Sequence, residues 1–438
     1  MDDIKPIPLP IMARKQAQTA DSLPLVALDL GSDSVRALAA QRIAPDLFRI
    51  LGVEERPQKL GNVCVEQGII TQSSNAGYVI AEVLKLLANR IGVDELPTAF
   101  ICVGGQSMQI VAVHSKRDQA RRKEISQTLL DEMEQECKEK IESRNPEVAV
   151  LGLVPSFFKL DGVEQDETPG PEQRAALVEA HYIAFYGRKA IDTQLQKSFS
   201  QAGRSIEHAF VRPECLLSAF ATSDGNQVLM NGCAVLDFGA QTTTLTVYKG
   251  GQYLLNKVVP KGGYHITRML EQQGMSFSTA EVLKCKYGCA SPDLVTKNVR
   301  LRVPAASEIG GEMVIASMEL AEAIEIKLQE ILAPLMDELA KVEGRIRTLY
   351  ITGGGSMMAG LADYIQSKTG LHVQYGAHNL LLHRDTEERY LSPQYTSLVG
   401  TILLGQDYRD THKNQLVQKP GFFDRVKEST LDMFIDQN

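Results

Sequence analysis

Three short stretches of the chain carry glycines, hydroxyls and carboxylates at spacings suited to holding phosphate. In Leu28-Asp29-Leu30-Gly31-Ser32 an apolar run ends in a glycine and a serine. A phosphate needs backbone N–H groups aimed at it, and glycine lets a tight hairpin bring them close. Ser32 adds a hydroxyl donor. Asp29, at the strand end, would repel a phosphate and is suited instead to hold water on a magnesium ion. Val235-Leu-Asp237-Phe-Gly239-Ala-Gln241-Thr242-Thr243 repeats this logic. Here Thr242 and Thr243 are the hydroxyl donors and Asp237 is a second magnesium carboxylate acting through water. In Ile351-Thr-Gly353-Gly354-Gly355-Ser356 three glycines follow an apolar run and precede a helical pattern over 361–367. Such a turn lets backbone lie flat against an adenosine or approach a phosphate. Taken singly, each stretch is also what an ordinary turn looks like.

The elements around these stretches read as an α/β alternation. Residues 25–30, 35–40 and 48–53 form a strand meander, and 75–91 has apolar residues at helical spacing (Val79, Val83, Leu86, Leu87) before Gly92. Strands at 99–103 and 108–113 are joined through Gly104-Gly105. The charged stretch 118–144 carries Ile125, Leu129, Met133, Cys137 and Ile141 every fourth residue, a helix with one narrow buried face. Strand returns over 148–158, and 161–171 is an acidic, Gly/Pro-punctuated loop. Residues 95–165 therefore read as a small inserted α+β domain. Strand 180–185, helix 190–202 and strand 206–211 restart the alternation, and 234–237 repeats the strand–Asp–Gly arrangement of the first stretch. Two related strand–turn units in the two halves imply a duplicated α/β fold with a cleft between its lobes.

At 438 residues the chain is long enough for two or more lobes. A net charge of −8 argues against nucleic acid as the main partner, because phosphate backbones need a basic face. The seven cysteines are scattered without a CxxC pair or completing histidines, which reads as buried free thiols in a reducing cytosol and not as a zinc set. No apolar run reaches the roughly 18 residues a membrane-spanning helix needs. Residues 1–22, with Pro6, Pro8 and Pro10 and no apolar signal core, read as a disordered leader. At the other end a polar linker over 409–420 precedes GFFDRVKESTLDMFIDQN at 421–438. As a helix this segment gathers Phe422, Phe423, Val426, Met433 and Phe434 on one face, with Asp424, Glu428, Asp432 and Asp436 opposite and Leu431 and Ile435 outside the stripe. It is suited to lie on a membrane, or else to dock on its own protein.

Taken together, the ordered set Asp-x-Gly-Ser, Asp-x-Gly-x-x-Thr-Thr and Thr-Gly-Gly-Gly resembles the two phosphate motifs and the adenosine motif of the actin, DnaK-type chaperone and sugar-kinase superfamily. That resemblance implies a two-lobed actin-like (ribonuclease H-like, duplicated) fold binding ATP and Mg. Glu281 and Lys284 match the superfamily's Glu-x-x-Lys helix, which implies a grip on ribose and adenine. Within the superfamily the chain is most similar to the FtsA family of bacterial cell-division proteins, through the insert, the 280–288 helix, Ser397-Leu-Val-Gly400 and the tail. The resemblance implies a first lobe of 23–94 and 166–232 with 397–408 returning to it, and a second lobe of 233–396. It further implies a peripheral protein on the cytoplasmic side of the inner membrane at the division site. Such a protein tethers the C-terminal peptide of FtsZ through the second lobe, self-assembles, and contacts other division proteins through the insert, with ATP hydrolysis slow or absent. Two departures stand out. Gln241 takes a place usually held by glycine, and Arg36 stands where actin-like members often carry lysine. In addition Arg212-Pro213 falls where chaperones position water with a glutamate before proline, so no hydrolytic base is assigned. A pilus-assembly actin homologue, a sugar kinase and a DnaK-type chaperone are the rival readings. The tail argues against the first, the lack of a catalytic-aspartate constellation against the second, and the short segment after Gly400 against the third.

Overall fold

The computed structural model describes residues 24–416 apart from 45–46, 59–62, 166–167, 222–230, 251, 307–310, 343, 345 and 377–381. The leader at 1–22 and the tail at 421–438 lie outside the described residues.

Strands β1 (Leu25–Leu30), β2 (Ser34–Ala44) and β3 (Leu47–Pro57) form an antiparallel meander, followed by the short hairpin β4 (Val65–Glu66) and β5 (Ile69–Ile70). Helix α1 (Ser73–Ile91) leads into β6 (Ala99–Val103), which pairs parallel to β1. All six residues of β1 are buried, as a strand covered on both faces requires, so its apolar run is continuous instead of alternating. Next come β7 (Gln109–Glu124), α2 (Gln127–Glu142), β8 (Val148–Leu160), β9 (Val163–Gln165) and β10 (Arg174–Arg188). They make a separate four-stranded sheet, order β7-β10-β8-β9, with α2 on one face. Helix α3 (Ala190–Gln201), β11 (Ile206–Val211) and α4 (Arg212–Ala221) complete the first lobe, whose sheet has the order β11-β6-β1-β2-β3.

The second lobe repeats the pattern. Strands β12 (Cys233–Phe238), β13 (Thr243–Lys249) and β14 (Gln252–Val259) form its meander, and helices α5 (Gly263–Glu271) and α6 (Phe277–Tyr287) follow. A hairpin of β15 (Arg300–Pro304) and β16 (Glu312–Ala316) precedes the 24-residue α7 (Ser317–Ala340). Strand β17 (Thr348–Thr352), α8 (Leu361–Thr369) and β18 (His372–Tyr375) then give a sheet of order β14-β13-β12-β17-β18. Read from the edges, the two sheets are the same: an antiparallel meander extended by two parallel strands. The final helix α9 (Thr396–Leu416) returns to pack on β1 and α4 of the first lobe. A Cβ at Gly400 would overlap the Cys215 carbonyl, so only glycine lets α9 and α4 cross this closely.

The architecture is the α/β, two-lobed, duplicated fold expected. The insert boundary differs from the sequence reading of 95–165. Strand β6 belongs to the main sheet, and β10, read as the restart of the first lobe, pairs along its length with β7 and β8. The inserted sheet with its helix therefore spans 109–188. The charges of 118–124 lie on an exposed edge strand, and the helix begins only after Ser126, whose Oγ accepts from the Leu129 N–H at 3.2 Å. The linker reading also moves. Residues 409–416 continue α9, held where Arg409 donates twice to Glu207, at 2.7 Å each.

Candidate functional site

Each meander begins with the same hairpin. The Gly31 N–H donates to Ser34 O at 3.1 Å after β1, and the Gly239 N–H to Thr242 O at 2.9 Å after β12. The two turns face each other across a cavity of about 760 Å3. Asp29, Gly31, Ser32, Arg36, Asp237, Gly239, Thr242, Glu281, Lys284, Gly353, Gly354 and Gly355 all line it, so the structure gathers twelve of the thirteen expected cleft residues. Thr243 is the exception. It is fully buried and its hydroxyl donates to Lys261 O at 2.8 Å, while its neighbour Thr244 faces the cavity. Successive strand residues point to opposite faces, and Thr243 is already the first residue of β13.

The glycine turn after β17 is packed into place. Gly353 has φ +83°, and a Cβ there would lie 2.5 Å from Asp237 Oδ1 and 2.6 Å from Phe238 O. Gly354, beside it, has open space where a Cβ would go. Beneath the second hairpin, the N–H groups of Gly263 and Tyr264 donate to Gly239 O and Ala240 O, at 3.0 and 2.8 Å. On α6, Lys284 donates to Gly263 O (3.2 Å), Thr267 Oγ1 (2.9 Å) and Glu281 Oε2 (2.7 Å), which uses all three ammonium protons. Burial would raise the Glu281 carboxyl, but Lys284 outweighs it and holds it below its usual value. Its Oε1 accepts only the weak Cys285 thiol at 3.2 Å and keeps acceptor capacity.

The aspartate pair is arranged unlike the sequence expectation. Arg212, the first residue of α4, reaches between the two. Its Nη2 pairs with Asp29 Oδ1, and its Nη1 donates to Asp29 Oδ2 at 3.1 Å and lies 3.7 Å from Asp237 Oδ2. Ser397 Oγ, at the start of α9, donates to the same Asp29 Oδ2 at 2.8 Å. Burial alone would raise the Asp29 carboxyl; Arg212 and Ser397 reverse this and hold it below the ordinary carboxylate value. For Asp237 burial wins and the carboxyl is raised, because Arg212 is farther away and Asp29 adds repulsion. Both Asp29 oxygens are thus taken by protein donors, and a cation stands where water on a magnesium ion was expected. Among the described residues no group of three or more His, Cys, Asp or Glu side chains is arranged to hold a metal. Asp237, which lines the cavity and lies 3.7 Å from Arg212, accepts no hydrogen bond among the described residues, so of the pair it is the carboxylate whose oxygens could hold water on a magnesium ion.

Sequence reasoning also missed the partners that tie the hairpins down. Gln58 donates to Gly31 O at 2.6 Å and accepts from the Cys64 and Val65 N–H groups. The β4–β5 turn crosses the cleft mouth. Its Gly68 N–H donates to Ser32 Oγ at 3.1 Å, and its Gln67 N–H to Gln241 Oε1 at 2.9 Å. Gln241, in the glycine position of the second hairpin, thereby links the lobes. The departures at Gln241 and Arg212 were the available signals. The tail residues Phe422, Phe423, Val426, Met433 and Phe434 lie outside the described residues.

A duplicated sheet with paired hairpins and a glycine turn around one cleft is the actin-like fold. Solved structures agree on the fold. The chain aligns with the PilM-PilN type IV pilus biogenesis complex at a TM-score of 0.62 and 16% identity, covering 87% of this chain and 98% of the other. It aligns with MreB5 of Spiroplasma citri bound to ADP at 0.52 and 11%, covering 90% and 99%. Within that class the similarity in sequence is to the cell division protein FtsA. A family model described as "Cell division protein FtsA" matches residues 234–400. Proteins of that name are 24% identical in Bacillus subtilis (86% of this chain, 82% of the relative) and 23% identical in Escherichia coli K12 (87% and 90%). The relative in Neisseria meningitidis serogroup B is 23% identical, over 86% of this chain and 88% of its own. No described helix is long and apolar enough to cross a membrane.

Proposed function

We propose that this protein is a nucleotide-dependent tether between an FtsZ ring and the cytoplasmic face of the inner membrane at the division site. The observation that carries the reading is the convergence of both hairpins and the glycine turn on one cleft, in a chain whose relatives are named as cell division proteins. The cleft takes ATP. The hairpins at Gly31-Ser32 and Gly239 to Thr242 present N–H and hydroxyl donors to the phosphates, with Arg36 beside them. The open side of Gly354 admits the adenosine, and Glu281 Oε1 accepts from a ribose hydroxyl. Lys284 acts by fixing Glu281, its own protons being consumed. Asp237 would hold water on a magnesium ion carried by the phosphates, Asp29 being engaged by Arg212 and Ser397.

ATP then serves as a ligand for assembly, and the polymer forms through copies of this chain. The second lobe holds the FtsZ C-terminal peptide, the inserted sheet meets other division proteins, and 421–438 lays its aromatic face on lipid. Burying such side chains offers on the order of 1.5–3 kcal/mol each before ordering costs. The test is recruitment of fluorescent FtsZ to anionic vesicles by the full chain, with and without ATP. Recruitment is expected only with ATP and only with residues 421–438 present, and raising salt should weaken it little because four acids oppose two bases in the segment. If the full chain recruits FtsZ no better than the chain ending at Pro420, the tether reading fails. A pilus-assembly role would likewise give no FtsZ recruitment.

A further inference from the structure

We infer that the side-chain amide of Gln241 donates to the terminal phosphate of the nucleotide and so sets a preference for ATP over ADP. The inference rests on the nucleotide reading above and names the group that tells the two nucleotides apart. Gln241 lies in the second hairpin, between Gly239 and Thr242, and lines the cavity. Its carboxamide is oriented by the β4–β5 turn. The Gln67 N–H reaches it at 2.9 Å and needs an acceptor, so Oε1 faces the turn and Nε2 is left on the other side. Among the described residues nothing accepts from Nε2, which keeps both protons for a ligand.

Ser32 of the first hairpin is held in the same way. Its Oγ accepts from the next N–H of the turn, that of Gly68, at 3.1 Å, which leaves its own proton to donate. Gln67 and Gly68 both have left-handed φ, +52° and +75°, and successive residues in that conformation point their N–H groups the same way, as in a helix. The turn therefore gathers the hydroxyl of one lobe and the amide of the other at one spot. It is anchored from behind, where the Gln106 N–H donates to Gln67 O at 3.2 Å and a Cβ at Gly68 would lie 2.8 Å from Gly105 Cα. The adenosine end of the cleft, at Glu281 and Gly354, belongs wholly to the second lobe. Phosphates running from there reach the first lobe last. The spot where donors of both lobes meet thus receives the third phosphate, and a diphosphate ends short of it. A hydrogen bond to so highly charged an oxygen is stronger than one between neutral groups.

The decisive measurement is the pair of dissociation constants of the full chain for ATP and for ADP, both in excess Mg2+. ATP should bind at least about tenfold tighter. Two variants isolate the amide. Gln241→Glu keeps an oxygen for the Gln67 N–H but puts a second carboxylate oxygen where Nε2 stood. Gln241→Met adds no charge and removes both polar groups. The only loss they share is the Nε2 donor, so each should cut the ATP preference at least about fivefold while ADP affinity stays within about threefold of the wild type. Should one variant not fold, the other decides alone. A wild type that binds ATP and ADP alike, or a preference that survives either substitution, overturns the inference and leaves the nucleotide reading intact. An equal loss of both nucleotides also overturns it, since Gln241 would then act only by bridging the lobes. Failure of the wild type to bind either nucleotide removes the nucleotide reading and this inference with it.

Discussion

Adjacent glycines in the turn after β17 have opposite surroundings, and this separates folding from binding at single-residue resolution. Gly353 holds φ +83° with Asp237 and Phe238 in the space a Cβ would need, so Gly353→Ala meets both backbone strain and overlap. A loss of about 1–3 kcal/mol in unfolding free energy is expected from denaturant titration. Gly354→Ala adds its methyl to open space and should leave the unfolding curve unchanged. If that space receives adenosine, the same variant weakens ATP binding by about tenfold or more, the cost of roughly one misplaced methyl in a tight site. Unchanged ATP affinity for Gly354→Ala would show that the adenosine lies elsewhere. Ser397→Ala tests the other side of the cleft. It removes one of three donors to Asp29 and leaves a buried carboxylate less satisfied, at a cost of about 1–3 kcal/mol. The glycines and aspartates were legible in the sequence because each sits in a local pattern of strand, turn and hydroxyl. Ser397 as a partner of Asp29 was not, since the two are brought together only when α9 returns to the first sheet.

At the scale of elements, the dock of α9 on β11 is built from rings as well as from the Arg409–Glu207 pair. His208 of β11 stacks on Tyr408 with ring centroids 4.5 Å apart and lies 4.7 Å from Phe210. Burial pushes the His208 imidazole from its ordinary 6.5 down to about 4, with Lys138 and His412 adding repulsion. Between those two values the unfolded chain binds the proton and the folded chain does not. Stability must therefore fall as pH drops from 6.5 toward 4, at a slope of up to about 1.4 kcal/mol per pH unit for this one group. His208→Phe keeps a ring against Tyr408 and removes the titration. Urea unfolding at pH 7 and pH 5 should show a smaller loss for His208→Phe than for the wild type; an equal loss would mean His208 is not the group responsible. Elements with a plain pattern were legible in advance, such as α1 and β1, apolar at every position but Asp29. Strand β7 was legible only over 108–113, because its continuation, an exposed edge with seven charges over 116–124, has no apolar alternation to distinguish it from the start of a charged helix.

At the scale of the molecule, the duplication explains the cleft, and apolar packing closes its base. One cluster, containing Met108, Phe185, Val211, Leu216, Phe220, Val235 and Tyr350, joins the root of the inserted sheet, α4 and the second sheet, with Phe220 and Tyr350 stacked at 4.9 Å. The lobes thus share apolar packing at the base of the cleft, while Arg212 and Gln241 link them nearer the ligand space. The sequence made the repeat visible but not this shared packing, which depends on residues from five separate elements. Beyond that root the inserted sheet has its own core around Met133, Cys137, Phe158 and Val178. Removal of the insert must therefore respect the register rather than the boundaries read from the sequence. Deleting 95–165 would take out β6, the strand next to β1, and should abolish folding. Ala112 and Ile183, by contrast, are cross-strand partners, so their backbones can be joined by a two-residue Asn-Gly turn that replaces 113–182. That variant keeps Met108 and Phe185 in the shared cluster and should remain folded, with a cooperative thermal transition and ATP affinity within about threefold of the wild type. If the insert carries the contacts between copies, the same variant stays monomeric in ATP at concentrations where the full chain sediments as polymer. Sedimentation equal to that of the wild type would place self-assembly on the two main lobes, and loss of ATP binding in a folded variant would show that the inserted sheet holds the cleft in shape.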